Sequence, residues 1–317
     1  MTELVEQVAI GLLPEETDAS CPFADASEGV GEVEPENIPR DDAPAAKIPQ
    51  ESNGGVLGVN LLSGSPGKGG TVGGPNPPPD KKADLRRDTR RTGVKAKVPG
   101  TAAIAEGAYG FTLAAHHLIP GDASLAPSKL KALMTQGESV EVISKGGVAK
   151  QKKLRKHIGY NVNGAHNGVW LPGNYYIRAS TSPIKDKSWS DLGDDPWCRN
   201  YVAAVSKVAG GQIHDAHTQY SAAVKDLLNK IADILMHHEC EKCEASDINP
   251  PFRIKGRLYA MSEALKSQVT AAPMAWKRPW FTSDRWREDA FRGGRPSTEF
   301  VAAYNLASEA EPHTSAT

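Results

Sequence analysis

Between residues 24 and 99 the chain has very little from which to build a core. The stretch GGVLGVNLLSGSPGKGGTVGGPNPPPDKK, residues 54–82, is rich in glycine and proline and holds no aromatic residue. Such a segment cannot bury enough apolar surface to offset the entropy of ordering it, so it reads as linker. The folded part is therefore expected to begin near Pro99. At 317 residues the chain could hold one large domain or two smaller ones, with ample material for a buried core.

The net charge of −1 hides an asymmetry along the chain. Residues 1–50 carry twelve Asp and Glu against two Lys and Arg, whereas residues 101–317 carry 26 basic and 22 acidic side chains. An acidic arm ahead of a mildly basic body suits a domain that meets a polyanion and trails a solvated tail. No run of 18 apolar residues is present, so no membrane span is expected. The start, MTELVEQVAIGLLPEE, is acidic and lacks the basic region of a secretory signal, so any export is expected to use another route. Four cysteines, Cys21, Cys198, Cys240 and Cys243, are too few and too scattered for a disulfide framework. They point instead to a reducing compartment.

Periodicity organises the rest. Leu4, Val8, Leu12 and Leu13 predict a short helix in the first 20 residues. DKKADLRRDTRRTGVKAKV (80–98) is basic, with eight Lys and Arg against three Asp, and either touches phosphate or is simply solvated. SLAPSKLKALM predicts a helix opening at Ser124 or Pro127, VEVIS a strand, and GVWLPGNYYIRA strand and turn. The clearest helix is SAAVKDLLNKIADILMHH, where Val224, Leu227, Leu228, Ile231, Ile234 and Leu235 have the spacing of a buried stripe. GRLYAMSEALKSQV predicts a second amphipathic helix. The tryptophans of WKRPWFTSDRWREDAFRGGRP, residues 276–296, read as core rather than as stacking platforms.

Against this background AHHLIP, residues 115–120, is conspicuous, because His116 and His117 sit side by side in an apolar run. Further on, NVNGAHNGVWLPG places Asn167 at the entry to an apolar strand, and GQIHDAHTQY places His214 and His217 three apart at the start of the clearest helix. Histidines at i and i+3 share one helical face and can reach one ion. Phosphodiester hydrolysis needs such parts. Neutral imidazoles can hold a divalent ion that polarises the phosphate and steadies the leaving oxyanion. A separate histidine can take a proton from water, and an amide on its other nitrogen can fix its tautomer.

AHHLIP, then N-G-V-W-L-P, then H-D-A-H-T-Q-Y resembles the AHH nucleases, a branch of the HNH/endonuclease VII superfamily, over roughly residues 111–228. The resemblance implies an α+β fold, a ββα-metal (treble-clef) core with added helices behind a largely disordered N-terminal region. It implies that His116, His214 and His217 hold the metal, that His117 is the general base, and that Asn167 is the middle Asn of HNH. In that superfamily the helical pair is often four apart, whereas here it is three apart. His166, beside Asn167, is read as structural. Composition and periodicity, with the resemblance for the middle part, divide the chain into an acidic then Gly/Pro-rich N-terminal region for delivery or linkage (1–98), a nuclease domain (99–248) and a helical, basic and aromatic extension with a polar tail (249–317).

Two further groups bear on function. LMHHECEKC offers half of a structural zinc site, with Cys240, Cys243, Cys198 and His238 (or Cys21) as a conceivable tetrahedral set, or else ordinary helix-end residues. Lys152, Lys153, Arg155 and Lys156 lie in the acid-free run 145–161 and could supply phosphate contacts, which give affinity without sequence specificity. The residues thus support a metal-dependent, largely non-specific endonuclease using Mg²⁺, Mn²⁺, Zn²⁺ or Ni²⁺, with DNA ahead of RNA as substrate. An RNase on the same scaffold, or a non-catalytic zinc-stabilised nucleic-acid-binding module, is the alternative. The resemblance further implies a bacterial toxin or effector, made in the bacterial cytoplasm, exported without a Sec signal on a secretion-system carrier, delivered into a target cell's cytoplasm, and paired with a cognate immunity protein. Residues up to 98 are expected to be dispensable for catalysis.

Overall fold

A computed structural model of the chain describes residues 52–63, 93–95, 108–110, 112–144, 147–173, 202–203, 205–207, 210–236, 247–251, 254–284, 296–306 and 308–309. The helix expected in the first 20 residues lies outside the described residues. So does the candidate zinc set of Cys21, Cys198, His238, Cys240 and Cys243.

In chain order the elements are helix α1 (Gly54–Ser63), strands β1 (Gly93–Lys95), β2 (Ala108–Gly110), β3 (Thr112–His117), β4 (Ser139–Ser144), β5 (Val148–Leu154) and β6 (Gly168–Gly173), helix α2 (Thr218–Met236), strand β7 (Asp247–Ile248), helices α3 (Ile254–Thr270) and α4 (Thr298–Leu306), and strand β8 (Ser308–Glu309). The strands form three small sheets. β3 pairs antiparallel with β6, from Thr112 opposite Gly173 to His117 opposite Gly168. β5 pairs antiparallel with β4 and parallel with β7, and β1 lies between β2 and β8. Mixed helix and small sheets make this an α+β fold, as the sequence led us to expect.

α2 is the spine of the core. Tyr220, Val224, Leu227, Leu228, Ile231 and Leu235 are buried along it, in one cluster with Leu118, Ile119 and Leu130 and with Leu258 and Met261 of α3. Ile234, expected on that stripe, instead faces outward and is 40 % exposed. SLAPSKLKALM is not one helix but two short turns, Gly121–Leu125 and Lys129–Leu133. Between them Pro127 offers no N–H and Ser128 is extended (φ −83°, ψ 153°), which stops helical propagation.

α1 lies inside the stretch read as linker. Its order has a local and a tertiary cause. Asn53 caps it, its Oδ1 accepting the Val56 N–H at 3.0 Å. Leu57 and Leu61, four apart and so on one face, are buried against Ala165 and Trp170. Gly168 permits this seating, since a Cβ there would stand 2.6 Å from Leu57 Cδ1 and 3.1 Å from Leu61 Cδ1. Composition argues against order here, but packing against the domain decides.

The junction between β3 and β6 is tied by one amide. Asn167 is fully buried, and its Nδ2 donates to the carbonyls of Ile119 and Val162, both at 2.8 Å. Its Oδ1 accepts the Ile119 N–H at 2.8 Å and the Ser262 hydroxyl of α3 at 3.2 Å. Its carbonyl accepts the Leu118 N–H at 2.9 Å. The side chain thus closes the end of β3 onto the turn before β6 and onto α3. Asn167→Ala should strand two buried carbonyls and the Ile119 N–H at about 1–3 kcal/mol each. The expected outcome is a loss of roughly that sum in chemical denaturation, with the transition still cooperative.

Candidate metal centre and general base

Because β3 is a regular strand with no bulge in its pairing, His116 and His117 project to opposite faces. The sequence separates two chemistries simply by alternating. His116 is wholly buried and faces the rings of His214 and His217, with centroids 5.0 and 4.9 Å away, and the Tyr220 ring at 5.0 Å. His214 and His217 are 5.3 Å apart. One nitrogen from each of His116, His214 and His217 lies within 4.8 Å of the others, a spacing that can hold a metal ion.

The two later histidines are not on α2, as their spacing suggested, but in the loop that feeds it. His214 bridges to Gly173 at the end of β6, and its N–H donates to the Pro172 carbonyl at 2.7 Å. His217 immediately precedes α2, and its Nδ1 lies 3.2 Å from Ser221 Oγ. A segment from much later in the chain braces this loop. Asp215 N–H donates to the Thr282 carbonyl at 3.0 Å. Asp284 accepts both the Thr218 N–H and its hydroxyl at 2.6 Å, placing a carboxylate at the positive end of α2.

Burial keeps these imidazoles neutral. His214 is lowered to about 3 by burial first and then by the charges His217 and His117 would carry. His116 is held well below its ordinary value by burial and then by His217, His214 and His117. Neutral rings present lone pairs. Both ring nitrogens of His116 are buried with no hydrogen-bond partner among the described residues, an expensive arrangement for a protein that binds nothing there. The donor set and its orphaned nitrogens fit a divalent transition ion.

His117 is set differently. Its Nε2 lies 2.9 Å from Asn163 Oδ1, and it is lowered by burial but raised by that hydrogen bond and by Asp122. The amide that touches the expected base is therefore Asn163. Asn167, the residue singled out from sequence, does not touch it and instead ties the junction of β3 and β6. NVNGAHN contains three asparagines, and only the fold distinguishes them.

His166 is buried between Tyr160 and Tyr259, with ring centroids at 5.1 and 4.3 Å, apart from the three-histidine cluster. The basic residues divide. Lys153, Arg155 and Lys156 are exposed on and after β5, whereas alternation turns Lys152 inward, where it is only 4 % exposed. No helix among the described residues is long and apolar enough to cross a membrane.

Residues 105–249 match the family model of AHH, a nuclease family of the HNH/ENDO VII superfamily with conserved AHH. This stretch is an AHH-family nuclease domain. Its AHH is Ala115-His116-His117, and all three clustered histidines and Asn163 fall inside the match. The domain is accordingly a phosphodiester hydrolase of a superfamily whose members use divalent metals. No curated protein and no solved structure matches the chain.

His166 lies apart from the three-histidine cluster, and its burial makes stability depend on pH. Burial, then the charge of Lys255, lowers it from an ordinary 6.5 to about 3. The unfolded chain binds this proton more readily, so the stability is complete above pH 6.5 and is lost as pH falls toward 3. At pH 5 the loss from this one group is about 2 kcal/mol. Denaturation of metal-free protein at pH 7.5 and 5 should show a drop that His166→Phe reduces by about that amount. An unchanged drop would mean that His166 is protonated in the fold.

Proposed function

We propose that this domain is a metal-dependent, largely non-specific endonuclease that cuts DNA, and that the chain acts as a bacterial toxin or secretion-system effector. The observation that carries the catalytic part is the three-histidine cluster next to the hydrogen-bonded His117. The β3–β6 pair with α2 after it supports reading the core as ββα-metal. A divalent ion on His116, His214 and His217 would polarise the scissile phosphate and stabilise the leaving oxyanion.

The chain's own residues do the rest. With Nε2 occupied by Asn163, His117 presents Nδ1 as the site that takes the proton from water. Its lowered affinity for protons keeps it in the accepting form at neutral pH. Water then adds to phosphorus through its oxygen while one P–O ester bond breaks. Exposed Lys153, Arg155 and Lys156 provide phosphate contacts that do not read bases, which supports a lack of sequence specificity. The toxin assignment, export without a Sec signal and a cognate immunity protein rest on the resemblance of the motifs to polymorphic-toxin nucleases. An acidic small open reading frame next to the gene would support them.

Incubating the full chain with plasmid and with RNA, in Mg²⁺, Mn²⁺, Zn²⁺ or Ni²⁺ and with EDTA, tests the reading. Cleavage of plasmid that EDTA abolishes is the expected result. Preferred cleavage of RNA would replace DNA as substrate, and a gel shift without cleavage would leave a binding module. Two variants then separate the roles. His117→Ala should lower kcat by about 10²–10⁴ with metal affinity retained. His116→Ala should weaken metal binding in calorimetry, with excess ion restoring part of the activity. Equal loss of metal binding in both would overturn the division of labour.

A further inference from the structure

We propose that the segment at residues 52–61, well upstream of the family-matched domain, is a positioning element of the active site, and that the main-chain N–H of Asn53 selects the tautomer of the general base. The inference rests on the reading of His117 as that base. Four hydrogen bonds bring the segment to the site. Asn53 N–H donates to Asn163 Oδ1 at 2.8 Å. Asn60 Nδ2 donates to the Asn163 carbonyl at 2.6 Å. Gly121 N–H donates to Ser52 Oγ at 2.7 Å, while Ser52 N–H donates to Asp122 at 3.0 Å.

The first contact has a chemical consequence. An asparagine amide can present either its oxygen or its NH₂ to a neighbour, and the two ends differ only in the hydrogen bonds they can make. A main-chain N–H can only donate, so the Asn163 atom that faces Asn53 must be the oxygen. That same oxygen faces His117 Nε2 at 2.9 Å. It is an acceptor, so Nε2 must carry the proton and Nδ1 must hold the free lone pair. Without the Asn53 N–H the amide can turn, offer its NH₂ to Nε2, and leave the proton on Nδ1, the wrong nitrogen for accepting one from water.

Packing holds the donor in register. Asn53 is the cap of α1, Leu57 and Leu61 anchor that helix beside Trp170, and Gly168, opposite His117 in the β3–β6 pairing, has no side chain to obstruct them. The base is therefore oriented by chain that composition alone reads as linker. The proposal reverses the expectation that residues up to 98 are dispensable.

The test begins on the metal-free wild-type full chain. Two-dimensional ¹⁵N–¹H spectra of the imidazoles at pH 7.5 should show His117 with Nε2 protonated and Nδ1 bare. A His117 ring protonated on Nδ1 would overturn the proposal. Asn53→Pro deletes the N–H; Asn53→Ala keeps it but loses the cap. In Asn53→Pro the His117 signals should move toward a mixture of tautomers, and kcat should fall about 10- to 100-fold with KM and metal affinity unchanged. Asn53→Ala should lose less and keep the Nε2–H signal. Adding Asn163→Asp to Asn53→Pro should restore the tautomer, because both carboxylate oxygens accept. Wild-type tautomer in Asn53→Pro, or equal losses in the proline and alanine variants, would refute the role of the N–H. A wild-type chain that cuts nothing would instead refute the nuclease reading, while the spectra still test the hydrogen bonds.

Discussion

The buried amide of Asn167 is the tie on which the rest of the site depends. One side chain satisfies Ile119 at both its N–H and its carbonyl, takes in Val162, and receives Ser262 from α3. The end of β3, the turn ahead of β6 and a later helix are thereby fixed to one another inside the core. Because β3 is fixed at this end, the alternation of its last two residues becomes a division of space. His116 goes inward to His214 and His217, and His117 goes to Asn163. A bulge at 116–117 would blur that division, and none is present.

The unit that makes the site extends beyond the residues that carry the family's motifs. Upstream, α1 and its cap reach Asn163. Downstream, Gln212 N–H donates to the Val269 carbonyl of α3, and Thr282 and Asp284 pin the loop that presents His214 and His217. These flanking contacts are polar and short, and they act on the backbone next to the functional side chains. The three clustered histidines are thus held by packing and backbone hydrogen bonds. Metal coordination would then engage rings already in place, which limits the ordering cost of binding.

Much of this is legible in the sequence, for physical reasons. The α2 stripe is visible because burial imposes a 3.6-residue period, and the three clustered histidines are visible because metal chemistry restricts residue type. What is hidden depends on tertiary context. Ile234 fits the stripe by spacing, yet the helix turns it outward. Asn163 and Asn167 are chemically identical, and only the path of the chain gives one to His117 and the other to the backbone. His214 and His217 converge although neither is helical, since a loop closed by Asp284 brings them together where a helical face was expected. α1 is hidden because its glycines signal linker, while its two anchoring leucines matter only once Gly168 and Trp170 are there to receive them.

The central claim is that His116, His214 and His217 hold the ion while His117 stays free of it. A crystal of the full chain soaked in Mn²⁺ and measured for anomalous scattering tests this directly. The account predicts a peak bounded by the rings of His116, His214 and His217, with His117 still bonded to Asn163. A peak on His117, or none between the three rings at a saturating concentration of ion, would contradict it.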